Sequence, residues 1–451
     1  MSDATFASGV THASGSHDPT SPPFIPRISP MNRLLLMLAC FLIPTLATAA
    51  EFDWPGWRGP DRTGVSKEKG LLKEWPKGGP PKTWTVKGCG KGYSSIAVTG
   101  GFIFGSGSKG GKNVAWALKE SDGSPVWETP YSADGEDPNA TVVVSGGKVY
   151  ALTTGGDLAC LNAKDGKIVW SKNYPKDFKG KMMSVWGYSE TPLIDGDKLI
   201  CTPGGDAAAV VALNKDTGKE LWRTAVKDGG GAGYASPVKA KVGDVPMYIT
   251  LLGKSGGVVG IHADTGKLLW QYTKISNATA NIPTIVTRDD LVWCSTGYDD
   301  GGSALLKMSI GGTESVSVKE LKRYKAKELQ NHHGGMVLVG DHIFFGDAHN
   351  SGHPACVEFK TGEILYQETK PVAGGNGSAA VVYADGMLYY RYENGVVALI
   401  EANPEQAKVA GSFKIPEPSG KESWQHPVVA NGKLYLRDQD KLHCFDVKAA
   451  K

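Results

Sequence analysis

Hydrophobic and polar positions follow one repeated pattern along most of this chain. A short apolar segment leads into a polar turn closed by Gly, and a second segment then ends in an aromatic residue. The clearest copies are residues 211–222 (VALNKDTGKELW) and 259–270 (VGIHADTGKLLW). This order of apolar run, turn and apolar run predicts a β-hairpin. In five copies the small residue, the Gly and the aromatic keep a spacing of six and then four, and the five aromatics are Trp127, Trp170, Trp222, Trp270 and Tyr366.

The period of the repeat predicts a β-propeller. The four Trp residues are separated by 43, 52 and 48 residues, which is enough for a four-stranded blade with its loops. The unit has strand and turn chemistry without an apolar stripe at helical spacing, so a helix-pair solenoid is excluded. Weaker copies lead to Phe413 and end at residues 443–446, and residues 305–321 fill one further blade.

The last copy of the repeat stops after its third strand. Residues 81–86 (PKTWTV), which contain Trp84, have the pattern of an outer strand without a blade of its own. We therefore predict an all-β fold over residues 81–447, an eight-bladed β-propeller of four-stranded antiparallel blades closed by this N-terminal strand in the last blade. Closure of this kind removes unpaired strand edges from the ring.

The first 80 residues have a different composition. Residues 1–30 are rich in Ser, Thr, Pro and Gly and predict a disordered or non-native extension. Residues 31–50 have the pattern of a signal peptide, with Arg33, an apolar core at 34–46 and small residues at 47–49. The apolar core is too short to span a bilayer. We predict an exported, periplasmic or extracellular protein without stable membrane insertion, in which residues 51–80 pack on the propeller.

The cysteines follow the repeat. Three of them hold the small-residue position that is Ala or Gly in other blades, and they are Cys160, Cys356 and Cys444. We predict that these, and the strand residues Cys201 and Cys294, are buried free thiols. The sequence does not decide the state of Cys89. It contains no Cys-x-x-Cys pair, so it encodes neither a zinc knot nor a c-type haem attachment.

Charge adds little to this picture. Lys and Arg total 49 against 46 Asp and Glu, and no basic stripe is interleaved with aromatic residues. We therefore expect no nucleic-acid partner, and we expect a monomer.

The consensus of the repeat, small-Leu-Asn/Asp-x-x-Asp-Thr-Gly-x-x-x-Trp, resembles the pyrroloquinoline-quinone (PQQ) repeat. That repeat is the blade unit of eight-bladed quinoprotein dehydrogenases and of BamB-type outer-membrane assembly propellers. The resemblance covers about residues 81–447, and it implies that each Trp docks between blades. Residues 54–64 (WPGWRGPDRTG) also resemble the N-terminal opening of exported bacterial propellers of this kind.

The resemblance also allows a test of the enzyme hypothesis. PQQ dehydrogenases of this fold carry two adjacent cysteines beside the cofactor, an Asp base, and calcium held by Glu and Asn. This sequence has no adjacent cysteines and no matching Asp motif. It therefore favours a protein without catalytic residues, and PQQ with calcium is kept only as an alternative.

The candidate site is the funnel at the centre of the ring, because propeller ligands sit where the innermost strands converge. The predicted starts of these strands are polar or aromatic in every blade, which suits stacking and hydrogen bonding to a flat or glycan-like ligand. The competing interpretation is a water-filled channel whose polar residues satisfy backbone groups. The candidate ligand-binding residues are Tyr93, Asn139, Trp186, Tyr188, Glu190, Tyr234, Asn281, His333, Asn376, Trp424 and His426.

Histidines supply the ionisable groups of this funnel. Repeat phase brings His332, His333 and His426 together, with Glu190 across the ring. Adjacent strand residues point to opposite faces, so His332 and His333 are not expected to share a site, and we predict no metal. We predict that residues 347–353, which contain His349, form a solvent-exposed hairpin loop.

Taken together, these features predict an exported, non-catalytic propeller that acts as a binding or scaffold module in the cell envelope. Its partner would be a protein, or a small molecule or glycan held in the central funnel. Two alternatives are kept, a PQQ-dependent quinoprotein oxidoreductase and a carbohydrate-binding propeller.

Overall fold

The structure is a computed structural model that describes residues 52–298, 300–312 and 315–450. These residues form 33 strands in eight sheets, together with one α-helix, α1 (Tyr174–Phe178), and a 3₁₀ turn at His349–Ser351. The predicted extension at residues 1–30 and the predicted signal peptide at 31–50 lie outside the described residues. Across the described ranges, no helix is long and apolar enough to cross a membrane.

Two strands precede the first blade, β1 (Val65–Ser66) and β2 (Lys82–Lys87). Blades 1 to 4 are antiparallel meanders of four consecutive strands each. Their strands are β3 (Ala97–Thr99), β4 (Phe102–Lys109), β5 (Lys112–Lys119) and β6 (Pro125–Ser132); β7 (Val143–Ser145), β8 (Lys148–Leu152), β9 (Asp157–Asn162) and β10 (Ile168–Asn173); β11 (Leu193–Asp195), β12 (Lys198–Cys201), β13 (Val210–Asn214) and β14 (Glu220–Thr224); and β15 (Val238–Val242), β16 (Val245–Leu251), β17 (Val258–His262) and β18 (Leu268–Tyr272).

Blades 5 to 7 repeat the same meander, and blade 8 supplies three consecutive strands of its own. Their strands are β19 (Val286–Arg288), β20 (Leu291–Thr296), β21 (Gly302–Gly312) and β22 (Ser315–Lys325); β23 (Val337–Val339), β24 (His342–Asp347), β25 (His353–Glu358) and β26 (Ile364–Gln367); β27 (Ala379–Ala384), β28 (Met387–Tyr392), β29 (Val396–Glu401) and β30 (Val409–Lys414); and β31 (Val428–Ala430), β32 (Lys433–Asp438) and β33 (Lys441–Asp446). The eight-bladed all-β propeller is thus confirmed.

The N-terminal strand closes the ring as predicted. Strand β2 pairs antiparallel with β33, and Trp84 lies opposite Cys444. The Trp84 ring packs 6.1 Å from the Tyr435 ring of the same blade. Blade 8 is therefore built from both ends of the propeller sequence, which leaves no open seam.

The repeated aromatic links each blade to the next. The indole of Trp222 in blade 3 packs on the turn glycine of blade 4, Gly266, where an added Cβ would lie 2.5 Å from the ring. Gly266 also has a φ of +71°, which disfavours any side chain there. Trp127 and Trp170 donate hydrogen bonds from their indole nitrogens to the backbone oxygens of Ala163 and Lys215 in the following blades.

The same geometry explains the small residue of the repeat. In each hairpin it lies directly opposite the aromatic, as Ala212 does to Trp222 and Cys356 does to Tyr366. A Cβ added at Gly260 would collide with the indole of Trp270. Cysteine is thus a small filler at this position, and all six cysteines of the described residues are buried and free, as predicted for five of them.

Residues 54–66, here called the central strap, cross the middle of the ring. Trp54 exchanges two backbone hydrogen bonds with Val98 of blade 1, at 2.7 and 2.8 Å. The backbone oxygen of Pro55 accepts from Val144 of blade 2 at 2.7 Å, and β1 then pairs in parallel with β27 of blade 7.

Two arginines fix the strap between these points. Arg62 donates to the backbone oxygens of Thr191 and Pro192, just before β11 in blade 3, at 2.6 and 3.0 Å. Arg58 donates to the backbone oxygen of Met336, just before β23 in blade 6. Both guanidinium groups are buried, and burial lowers the pKa of Arg58 to about 10 and that of Arg62 to about 9. The strap is therefore part of the channel wall.

Candidate functional site

A cavity of about 850 Å³ opens on the axis of the ring, where the segments that precede the innermost strands converge. Its wall takes residues from all eight blades, from Tyr93 in blade 1 to Trp424 in blade 8. This volume lies within the range that small-molecule and peptide-fragment sites occupy.

Seven of the eleven candidate residues line this cavity. They are Tyr93, Asn139, Trp186, Tyr234, His333, Trp424 and His426. The structure places the other four elsewhere. Tyr188, Glu190 and Asn281 are buried behind the wall, whereas Asn376 is exposed outside the cavity.

The buried candidates hold the wall together. Tyr188 donates to the backbone oxygen of Pro203 at 3.0 Å, and the Asn281 amide donates to the backbone oxygen of Leu252 at 2.9 Å. These hydrogen bonds satisfy backbone groups, which was the competing interpretation of polar strand starts. For these residues the polar character therefore reflects packing.

Glu190 is a buried acid beneath the cavity. One of its oxygens accepts hydrogen bonds from the Tyr174 hydroxyl at 3.1 Å and from the Thr202 backbone at 2.5 Å. Burial raises the pKa of Glu190 to about 7, and these hydrogen bonds and the charge of Arg62 only partly oppose that rise. Glu190 thus has a structural role, since it holds blade 3 together and interacts with Arg62 of the strap.

The floor of the cavity is Trp57, a residue that the sequence interpretation missed. Its ring centroid lies 4.4 Å from that of His426, and its indole nitrogen donates to the Thr284 hydroxyl at 3.1 Å. The only sequence signal was the motif at residues 54–64, which has no repeat phase to place it.

Aromatic rings form much of the wall. Trp424 packs between Tyr93, with ring centroids 4.8 Å apart, and His333, at 4.5 Å. On the opposite side Trp186 meets Tyr234 edge to face at 6.1 Å. Trp186 is 47% exposed and leaves a free ring face at the mouth, which suits stacking against a ligand.

Asn139 positions this exposed ring. Its amide nitrogen donates to the backbone oxygen of Trp186 and to the Ser189 hydroxyl, both at 3.0 Å. The amide is thus committed to the loop that carries Trp186. Asn139 therefore positions the loop of Trp186 and has this structural role in the cavity wall.

The histidine predictions need two corrections. His332 and His333 both line the cavity, with ring centroids 4.0 Å apart, because they lie in a bend before β23 and strand alternation does not apply. His349 is half-buried rather than solvent-exposed, because its ring stacks on that of His332 at 4.2 Å. Burial lowers the pKa of His332 to about 4 and that of His426 to about 3, and it lowers the pKa of His333 well below its usual range. All three are neutral at pH 7.

Carboxylates are the charged groups of the lining. Among the described residues that line the cavity there are five acids and no Lys or Arg, and the five are Asp134, Glu136, Asp137, Glu393 and Glu422. The described residues contain no group of three His, Cys, Asp or Glu side chains arranged to hold a metal ion. The site can therefore stack rings and accept hydrogen bonds.

Fold and site together define an eight-bladed propeller with a strap across its channel and an open aromatic and acidic cavity above the strap. A PQQ-repeat family model described as "Outer membrane protein assembly factor BamB" matches residues 111–368, more than half of the chain. The chain belongs to this family, which confirms the PQQ-repeat resemblance.

Individual relatives agree with this assignment. The chain is 33% identical over 141 residues to a quinoprotein ethanol dehydrogenase of Pseudomonas aeruginosa, covering 30% of this chain and 21% of that protein. It is 27% identical over 186 residues to the outer membrane protein assembly factor BamB of Yersinia pestis, covering 40% and 44%. The chain thus matches less than half the length of either curated relative.

Solved structures support the fold. BamB from Moraxella catarrhalis superposes with a TM-score of 0.57 at 16% identity, covering 82% of this chain and 98% of that structure. At this identity the likeness establishes the propeller fold alone.

The quinoprotein relative raises the question of whether the cavity fits PQQ. PQQ is a flat quinone with three carboxylic acid groups, so its site needs cationic or N–H groups facing those acids. The cavity instead presents five carboxylates, and among the described lining residues it has no Lys or Arg. The residues present do not fit PQQ, because its carboxylates would meet carboxylates of like charge without a facing Lys or Arg among the described lining residues.

Proposed function

We propose that this protein is a non-catalytic binding module of the cell envelope, with its ligand site in the central cavity. The observation that carries this proposal is the convergence of Tyr93, Trp186, Trp424 and His426 from different blades on one cavity of about 850 Å³. Membership of a family described as an outer membrane assembly factor supports a role in holding a partner at the envelope.

The arrangement of side chains favours binding over redox chemistry. The buried acid Glu190 lies behind the wall with Tyr174 and Thr202 as partners, so it cannot reach a substrate in the cavity as a base. The cavity histidines are packed against other rings, as His333 is against Trp424. One carboxylate–histidine pair of the described residues does lie there, His333 with Glu393 at 3.7 Å, but the His333 ring is packed between those of His332 and Trp424.

A carbohydrate ligand is a second candidate, favoured by one specific observation. The exposed face of Trp186 stands at the mouth beside acceptor carboxylates such as Asp137. Sugars combine apolar faces that stack on such rings with hydroxyls that donate to carboxylates.

The experiment is a calorimetric titration of the purified protein with a tri-lysine peptide, maltotriose, and PQQ with calcium. Trp186→Ala should weaken the probe that binds by about tenfold, as for an anchoring aromatic. Leu221→Ala is the matched control, because Leu221 is 45% exposed on the outer strand β14. Binding that neither Trp186→Ala nor Trp424→Ala weakens would contradict the cavity site. Alcohol-dependent reduction of an electron acceptor with PQQ and calcium would replace the proposal with the quinoprotein alternative.

A further inference from the structure

The carboxylates of the cavity differ from most of the charged groups at the surface. The described residues form many Lys and Arg ion pairs with Asp and Glu, such as Lys148 with Asp216 at 2.8 Å and Lys239 with Asp195 at 2.9 Å. Within the described ranges, none of the five cavity acids has a Lys or Arg partner within ion-pair distance, and Glu393 alone has a histidine contact. These five acids therefore lack direct ion pairs among the described residues, although the buried Arg437 interacts with Asp137 through space.

The arginines of the central strap make no direct contact with these carboxylates. Arg58 lies beneath Gly335 of the cavity wall, but it is buried and donates to the backbone oxygens of Thr63 and Met336. Arg62 is also buried, and it donates its hydrogen bonds to backbone oxygens that precede β11 in blade 3. Both serve the strap, so the open cavity has no cation at its surface among the described residues.

Two histidines on the wall present acceptors as well. His332 is 3% exposed, and its Nδ1 lies 2.5 Å from the Asn350 side-chain oxygen, which also accepts from the Ser378 hydroxyl. His426 is 5% exposed, and its Nε2 lies 3.4 Å from the backbone oxygen of His333.

Each of these ring contacts uses the N–H of a neutral imidazole, since the partner is an oxygen that accepts. The other ring nitrogens, Nε2 of His332 and Nδ1 of His426, are buried and have no hydrogen-bond partner among the described residues. They are lone-pair acceptors, and a buried acceptor without a donor costs free energy. A ligand that brings donors would supply what the wall lacks.

We propose that the cavity binds a cationic ligand, an ammonium or guanidinium group on a peptide or on a small polyamine. This inference rests on the proposed cavity function and adds the chemical class. Unpaired carboxylates around a low-dielectric cleft focus a negative potential that attracts cations. The exposed ring of Trp186 adds cation–π attraction once the cation enters.

The test compares matched probes by calorimetry at low ionic strength. The probes are acetylated tri-lysine amide, spermidine, acetylated tri-glutamate amide and maltotriose. The cavity variant is Asp137→Asn with Glu422→Gln, and the control is Asp244→Asn with Asp289→Asn. Asp244 and Asp289 are exposed in turns that follow innermost strands, at the end opposite the cavity. Both double variants remove two negative charges, so the net charge is matched.

The proposal predicts that tri-lysine or spermidine binds and that the cavity variant weakens this binding at least about tenfold, with less than about twofold loss in the control. Binding of tri-lysine alone identifies a peptide source, and equal binding of spermidine identifies a small amine. Equal loss in both variants, or no binding of either cation, overturns the cationic class. Binding of maltotriose or tri-glutamate that Trp186→Ala weakens also overturns it, but keeps the cavity function.

Discussion

Trp57 donates a hydrogen bond from its indole nitrogen to the hydroxyl of Thr284, 227 positions later in the chain, at 3.1 Å. Thr284 stands just before β19 in blade 5, whereas the Trp57 ring packs on His426 of blade 8. One side chain of the central strap therefore joins two separated blades across the axis. It forms the floor on which the cavity rests.

Two substitutions of Trp57 should separate the contribution of its ring packing to stability from that of its hydrogen bond to Thr284. Trp57→Ala removes a partly buried ring and is expected to lower the free energy of unfolding by about 2 kcal/mol or more. Trp57→Phe keeps much of the ring contact and loses the hydrogen bond, so it should cost about 1 kcal/mol. Denaturant unfolding measures both. If both variants unfold like the parent protein, Trp57 does not support the ring.

Ring closure depends on the pairing of β2 with β33. Trp84→Ala, or deletion of residues 81–87, is expected to lower the free energy of unfolding by about 3 kcal/mol or more, because an inter-blade aromatic is lost. Trp84 also packs against Gly123 of blade 1, so the change opens the junction between the first and last blades. A thermal melt that the deletion leaves unchanged would show that closure contributes nothing.

Cys356 tests the small-residue position beneath the aromatic of each blade. Cys356→Ala should fold with a cost of about 1 kcal/mol, as for a small buried filler. Burial raises the pKa of the Cys356 thiol to about 12, so thiol reagents should modify it only after denaturant is added. Mass spectrometry of non-reduced peptides that shows Cys356 fully cross-linked would contradict the free thiol.

Glu190 makes stability depend on pH in a defined window. Its native pKa is about 7, against an ordinary value of 4.5, so the folded state holds a proton that the unfolded state has already released. The contribution of Glu190 to stability is therefore full below about pH 4.5 and falls as the pH rises to about 7, by about 3 kcal/mol in total.

Glu190→Gln removes the titrating carboxyl group, and with it this pH-dependent contribution to stability, while keeping a side chain of similar shape. The free energy of unfolding of the variant, relative to the parent, should therefore rise between pH 4.5 and pH 7.5. Denaturant titrations at several pH values measure the difference. Parallel pH profiles of the two proteins would show that the native pKa of Glu190 is not raised.

The repeat made the fold predictable because its spacing has a direct physical cause. Ala212, Gly218 and Trp222 recur together since the small residue lies opposite the ring, and the next blade places its turn glycine against that ring. The pairing of a small residue with an aromatic recurs in six of the eight blades, so the sequence carries this signal several times. This redundancy also located strand β2, whose Trp84 occupies the same position in blade 8.

The site was only partly predictable, because a polar residue at a strand start can either face the cavity or satisfy a backbone group behind its wall. Tyr93 and Trp424 face the cavity, whereas Asn281 satisfies a backbone oxygen behind it, and their sequence contexts are alike. Trp57 could not be placed, because the strap occurs once and pairs with residues far along the chain. The pairing of His332 with His333 was missed, since a bend replaces the strand that alternation assumed.

The most direct test of the cavity as the binding site is the set of tryptophan indole N–H signals in a nuclear magnetic resonance titration. The chain has 12 tryptophans, each with one indole signal. Three of them line the cavity, Trp57, Trp186 and Trp424, and point variants assign their signals. The probes are tri-lysine peptide, spermidine and maltotriose. We predict that the bound probe shifts these three signals and leaves those of the inter-blade residues Trp127, Trp170 and Trp222 unchanged. Shifts confined to the inter-blade signals would contradict the central cavity as the binding site.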